Sequence, residues 1–545
     1  MDHSRIPLNS SNHGGQMLQN ERTTNRIHTR FGNAALRAML LLPVALCLCL
    51  LTLWPTAASA GSVTLHPGDN VPSIVAGSPG ETTFTFSAGT YRLAGPITPK
   101  NNDVFMNASG AKVYVTGAVV VTAFVQSGSH WVASLPYHYS NPTCSNGGCT
   151  CVMNLPGCDL SENLFLNNTI VQRVPALSQV KAGTWYWDLT AGKIYLGQNP
   201  AGSEVQVSVV PYAFLGSAST VTINGLTIQM FAGEGIYARV IGGASSYNWA
   251  IENSVLRFNH LAALMLGNGT QVLNNTICDN GKIGIMGGGT NILVQNNEIC
   301  RNNYAGYTGG QGGAKFDATT GLVVRENNVH DNMGIGFHSD DGSLNTLYEY
   351  NNTTRNQGPA IDYEISHSAV IRYNTIVNDA HNPLGTSPYW GAGIWVLSSD
   401  NVEVYNNTVT NSSNGIIGYE ETRSNDAGSY NLTNFSVHNN TITQSTGIAA
   451  GIISGSSPTF YPAVYTTWNN HFDNNTYCLE SSTTSFYDWQ LKSMAKATWV
   501  GTYQQDEHSI WSCPSTSNVN PRVVEQTLAP QSQSQILDLG FALTL

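Results

Sequence analysis

Charge is scarce in this chain. Only 10% of its 545 residues are Asp, Glu, Lys or Arg, and the formal net charge is −11. Residues 1–60 hold five Arg against Asp2 and Glu21, which leaves −14 for the remainder. No basic stripe exists to release counterions from a polyanion, so a nucleic-acid partner is excluded. Long apolar runs are also lacking. The single one, "AMLLLPVALCLCLLTLW" at 38–54, leaves no second segment to build a membrane bundle.

That run follows Arg26, Arg30 and Arg37 and precedes "PTAASA". A basic stretch, an apolar stretch and a small-residue site spell a secretory signal over 1–60, cut after Ala60. An uncleaved anchor is the weaker reading, because 17 residues with Pro43 inside fall short of the roughly 20 that a span needs. Initiation at Met17 would shorten the basic region. The expected product is secreted, extracellular or periplasmic, and free of the membrane after cleavage, with its oligomeric state open.

Eight of the ten cysteines lie beyond the signal. Cys144, Cys149, Cys151 and Cys158 crowd the loop "CSNGGCTCVMNLPGC", which has no histidine at ligand spacing. Disulfides are expected there rather than zinc. Cys478 and Cys513 are placed to close the C-terminal segment.

What is present is a repeat. Alternating apolar residues lead into Asn, then any residue, then a β-branched one, at Asn253, Asn275, Asn297, Asn327, Asn352, Asn374, Asn407, Asn440 and Asn470. The intervals are 22, 22, 30, 25, 22, 33, 33 and 30 residues. A minimum period near 22, lengthened where loops are inserted, suits a coil of three short parallel strands. Asparagine tolerates the left-handed turn position, and stacked amides hydrogen-bond from coil to coil. Leucine-rich repeats share the period, but their leucine framework is missing. The pattern predicts an all-β protein, a right-handed parallel β-helix. It also sets Cys278 and Cys300 side by side on adjacent rungs, bonded or stacked.

The predicted organisation is a signal at 1–60, cap strands at 61–99 and a β-rich, sandwich-like lobe at 100–215. The β-helix follows at 216–475, a C-terminal cap at 476–513, and a polar tail at 514–545. The lobe reading rests on the aromatic stretch "GTWYWDLTAGKIYLG" and on the missing asparagine period.

Neighbouring strands lie about 4.7–4.9 Å apart, so residues at one offset on successive rungs become neighbours. Small-apolar pairs such as Gly284-Ile285, Gly336-Phe337, Ala360-Ile361 and Gly393-Ile394 supply the common origin. Three residues past Phe337 is Asp340, and three past Ile361 is Glu364. Their carboxyls are expected about 5 Å apart. Like charges that close force one pKa up, and a spacing of about 5–5.5 Å belongs to retaining glycoside cleavage. Asp340 is then the nucleophile and Glu364 the acid/base. Lys315, His338, Asp341, Tyr363, His367 and Trp390 surround them as candidate substrate-binding residues, since sugar sites combine aromatic platforms with a few convergent polar groups. The bland reading is a solvated solenoid face whose two acids align by chance.

These residues resemble the secreted β-helix proteins that act on carbohydrates, and within them the β-xylosidases of glycoside hydrolase family 120. "LFLNNTIVQRVP", "GTWYWD", "GFHSD" and "DYEISH" carry the resemblance over roughly 160–400. It implies a β-helix joined to a sandwich-like lobe, with Asp340 in the nucleophile's place and Glu364 in that of the acid/base. Asp341 is a second candidate nucleophile. The implied partner is an oligo- or polysaccharide, and no cofactor or metal is called for.

Two other functions fit the same sequence. A polysaccharide lyase or uronate epimerase would use Lys315, Arg325, Tyr363 or His367 as base or cation, with Ca²⁺ held by Asp340, Asp341 and Glu364. A non-enzymatic surface or glycan-binding solenoid would need no perturbed acid.

Overall fold

The computed structural model describes residues 61–513, apart from 137–149, 153–154, 156, 238–246, 382–390, 422, 426–427, 455–461 and 481–483. The proposed signal, the tail, Cys144 and Cys149 thus lie outside the described residues.

Strands of two to six residues wind into a coil bounded by three long, almost wholly parallel sheets, two of thirteen strands and one of twelve. Pairing is in register from rung to rung. One inner row runs Leu256, Ile277, Ile299, Val329, Thr353, Ile376, Val409 and Ile442. Another runs Leu264, Ile285, Ala314, Phe337, Ile361, Ile394 and Ile416. These rows are buried and form one continuous core. Each rung's apolar face is covered by its neighbours, which is how a repeat too small to fold alone becomes stable.

The asparagines hold the turns, one position away from part of the sequence reading. The left-handed residue at the turn is Asn274, Asn296, Glu326, Tyr350, Tyr373, Asn406, Asn439 or Asn474. The stacked amide belongs to the residue that follows. The ladder is therefore Asn275, Asn297, Asn327, Asn351, Asn374, Asn407, Asn440 and Asn475. Asn352 and Asn470 are displaced by Asn351 and Asn475, and Ser254 takes the place assigned to Asn253. A second ladder, five residues on, joins Asn259, Asn280, Asn302, Asn332 and Asn356 and ends on Asp379. Burial pushes the Asp379 carboxyl up to about 7, against the hydrogen bonds it accepts.

The coil begins earlier than the asparagine period. Val104–Asn107 and Val113–Thr116 pair with Thr222–Asn224 and Thr227–Gln229, so the coil reaches back to Ser62–Leu65. In these first rungs Phe84 stacks on Phe105 at 5.0 Å, in the inner row that continues as Ile223, Ile251 and Val272. The helix Val71–Gly77 tucks Val71 and Val75 against this end. The lobe is thereby an insertion between rungs, Ala118 to Ser208, shorter than 100–215. Its eight strands form one hydrogen-bonded sheet around Trp185, Trp187 and Ile194. At the far end Thr476–Leu479 and Ile510–Trp511 still pair as rungs, and the helix Lys496–Tyr503 buries Trp499 there.

Among the described residues, three disulfides join Cys151 to Cys158, Cys278 to Cys300, and Cys478 to Cys513. The Cys278–Cys300 bond links equivalent positions of adjacent rungs.

Candidate active site

Alternation along each strand decides which residues leave the core. In Gly312–Asp317, Ala314 and Phe316 point inward, leaving Lys315 and Asp317 outside; Ile335–Asp340 likewise buries Phe337 and Ser339 and presents His338 and Asp340. In Ile361–Glu364, Ile361 and Tyr363 join the core and Asp362 and Glu364 lie on the outer face. Parallel pairing aligns these residues in two columns. Lys315, His338 and Asp362 make one. Asp317, Asp340 and Glu364 make the other, Asp340 and Glu364 standing one step beyond the Ser339–Tyr363 pair.

Side-chain contacts close the cluster. Oxygens of Asp340 and Glu364 and a ring nitrogen of His338 lie within 4.8 Å of one another. Lys315 Nζ donates to Asp340 Oδ2 at 2.8 Å and lies 3.6 Å from Asp317 Oδ1. His338 Nε2 is 3.2 Å from Glu364 Oε2, 3.7 Å from Asp340 Oδ2 and 4.0 Å from Asp362 Oδ2. The Asp341 backbone N–H donates to Asp340 Oδ1 at 2.7 Å. From the hairpin Arg423–Asn425/Gly428–Tyr430, Arg423 reaches Glu364 Oε1 at 2.6 Å and Glu421 Oε1 at 2.7 Å.

These contacts set the charges. Burial would raise Asp340, but His338 and Lys315 outweigh it and hold this carboxyl below its usual range. Burial likewise works against protonation of His338 and Lys315, yet the surrounding carboxylates win and both are raised. Asp362 behaves oppositely. Burial, aided by Glu364 and Asp340, pushes it up to about 7 against the pull of His338. Asp317 is raised by burial too, with Lys315 opposing. One carboxylate is thus held ionised beside another whose titration is pushed up toward neutrality.

Of the residues predicted from sequence, Lys315, His338, Asp340 and Glu364 come together, with Asp341 in the adjoining turn at φ 56°. Tyr363 is overturned as a substrate-binding residue. It is fully buried on the core side, and its hydroxyl donates to Ser343 O and His367 O. His367 belongs to a different sheet, where its Nδ1 meets Asp400 at 2.5 Å and its ring stacks on Tyr430 at 5.1 Å. Arg325 is on that same other sheet, donating to Gln295. Trp390 lies outside the described residues. Asp317, Asp362 and Arg423 were missed. The first two obey the register rule already used, as Ala314 plus three and Ile361 plus one. Arg423 arrives from a hairpin whose contact with Glu364 no local pattern announces.

A sequence profile described as the right-handed β-helix region matches residues 239–409, which contain both acids. No curated protein sequence matches the chain. Among solved structures, XylC in complex with xylose is similar over 85% of this chain and 87% of its own, at 14% identity and a TM-score of 0.60. The fold is the right-handed parallel β-helix. A mannuronic acid-specific polysaccharide family 6 lyase from human gut microbiota aligns with this β-helix over 82% of this chain and 94% of its own, at 11% identity and a TM-score of 0.39. A polygalacturonase from Erwinia carotovora ssp. carotovora does so over 80% and 96%, at 10% and 0.37.

Proposed function

We propose that this β-helix protein is a carbohydrate-active enzyme, a retaining glycoside hydrolase in which Asp340 is the nucleophile and Glu364 the acid/base. The observation that carries the reading is the approach of the two acids, within 4.8 Å on adjacent rungs of one outer face. That is too close for the water an inverting mechanism places between its carboxyls, which needs about 6.5–9.5 Å. Asp340 is kept ionised by Lys315 and His338, as a nucleophile requires. Glu364 touches His338, whose protonated form the surrounding carboxylates favour, so an imidazolium N–H lies within hydrogen-bond reach of the acid/base. XylC, the similar structure that carries xylose, makes pentosides and hexosides with neutral rings the first substrates to try. The lyase or epimerase alternative keeps Lys315 and the oxygens of Asp340 and Glu364. It loses three of its four candidate bases, because Tyr363 faces the core and Arg325 and His367 belong to another sheet.

A panel of aryl glycosides followed by proton NMR is the test. Hydrolysis with the first-formed sugar in the substrate's own anomeric configuration is expected. Inversion, or an unsaturated product absorbing in the ultraviolet from an acidic polysaccharide, would overturn the assignment.

Lys315→Met probes the charge balance. The ammonium 2.8 Å from Asp340 favours the ionised carboxylate, so removing it raises the Asp340 pKa. At a given acidic pH less Asp340 is then ionised, and the acid limb of the kcat/KM profile moves to higher pH. An unmoved acid limb would show that Asp340 is not the group titrating there.

A further inference from the structure

The outer face is unequal on the two sides of the acid pair. On the rungs that follow Glu364, the outward positions Trp395, Leu397 and Ile417 are buried in an apolar cluster with Ile448 and Ile453. On the rungs that precede Asp340, a groove of about 360 Å³ is lined by Met265, Met286, Gly287–Gly289, Asp317 and Ala318. Its volume lies within the range of small-molecule sites.

The groove is continuous with the acid cluster. Met265 and Met286 occupy the same column as Lys315 and His338, two and one rungs before Lys315. Asp317 stands directly before Asp340. Its floor is kept flat by three glycines that have no room for a side chain. A Cβ on Gly288 would lie 1.8 Å from the Asp317 carbonyl oxygen, and Gly287 and Gly289 sit at φ +122° and +142°.

We infer that this groove is the subsite for the part of the glycan that is not cut, and that it selects a neutral chain running along the coil axis toward the earlier rungs. The inference rests on the glycosidase reading and deepens it. The methionine thioethers give an adaptable apolar shelf for the C–H face of a sugar ring. The Asp317 carboxylate accepts hydrogen bonds from sugar hydroxyls, and it is the one charged residue lining the groove among the described residues. A uronate placed there would set its carboxylate against Asp317, so acidic chains are rejected. Lys315 does not relieve this, because it is shared between Asp317 and Asp340.

Calorimetric titration of the full chain carrying Glu364→Gln measures binding without turnover. Xylotetraose and cellotetraose serve as neutral probes and tetragalacturonate as the acidic one. The expected result is that at least one neutral tetraose binds and tetragalacturonate does not. Binding of that tetraose should weaken about tenfold in Met265→Ser/Met286→Ser and in Asp317→Asn, each with an unchanged thermal midpoint. Equal binding by the groove variants, tight binding of tetragalacturonate, or no binding of either neutral tetraose would overturn the subsite. Failure of the hydrolase reading appears separately, as wild-type protein that binds a tetraose through the groove but turns over no glycoside.

Discussion

Glu364→Gln is expected to lower kcat/KM on aryl glycosides with poor leaving groups by about 10²–10⁴-fold, the contribution of a positioned general acid. The change is nearly isosteric, and an amide oxygen at the same place still accepts from Arg423. What disappears is the proton that the departing oxygen must take up. Activated leaving groups such as dinitrophenolate need little protonation, so for them bond cleavage persists. The second half of the reaction then stalls, because the same residue must deprotonate the incoming water. Azide, which needs no deprotonation, should restore turnover and yield the glycosyl azide of retained configuration. A loss of equal size for all leaving groups, with no rescue by azide, would remove Glu364 from the acid/base role.

The largest effect on stability is expected from Asn327→Ala, in the middle of the first ladder. The Asn327 side chain is buried, and its Oδ1 accepts from the backbone N–H and Nδ2 of Asn297, both at 3.0 Å. Its Nδ2 donates to Val294 O at 3.0 Å and to Asn351 Oδ1 at 3.0 Å. Alanine leaves those donors and acceptors unmade inside the coil, at about 1–3 kcal/mol for each group, so a total of roughly 3–5 kcal/mol is lost. Asn352→Ala removes an asparagine that follows the ladder residue Asn351, is only half buried and donates to Asn328 Oδ1 from the start of its strand. Its cost should stay within about 0.5 kcal/mol, as at ordinary surface positions. Denaturant midpoints of the two variants measure the contrast, and equal midpoints would mean that the ladder is not what holds the turns.

Much of the coil is legible because its physics repeats. The apolar rows, the asparagines and the offset joining Asp340 to Glu364 recur at each rung, so the sequence alone aligned them. The ladder position itself slipped at Asn352 and Asn470. Side-chain burial, and not the identity of the residue, separates the stacked Asn351 from Asn352 one place on. Asn470, by contrast, is a buried amide of the preceding turn, where it accepts from the Phe435 N–H. The first rungs escaped notice because they lie before the asparagine period begins and are divided from the rest by an inserted lobe. Tyr363 shows the limit of reading residues by type. An aromatic beside two acids looks like a sugar platform, yet alternation turns it into the core while its neighbours Asp362 and Glu364 face out.

The amino-acid order by itself determined the parallel coil and the adjacency of the two acids, since both follow from one period and from the fixed spacing between strands. Only the tertiary structure decided the charges in the cluster. Those depend on Lys315, Asp362 and Arg423 meeting the acids at particular distances and burials, and Arg423 comes from a hairpin some sixty residues beyond Glu364. Which flank of the acid pair is open was likewise settled by packing. Burial of Trp395 and Leu397 and exposure of the glycine-floored groove are properties of the assembled surface, which no strand carries alone.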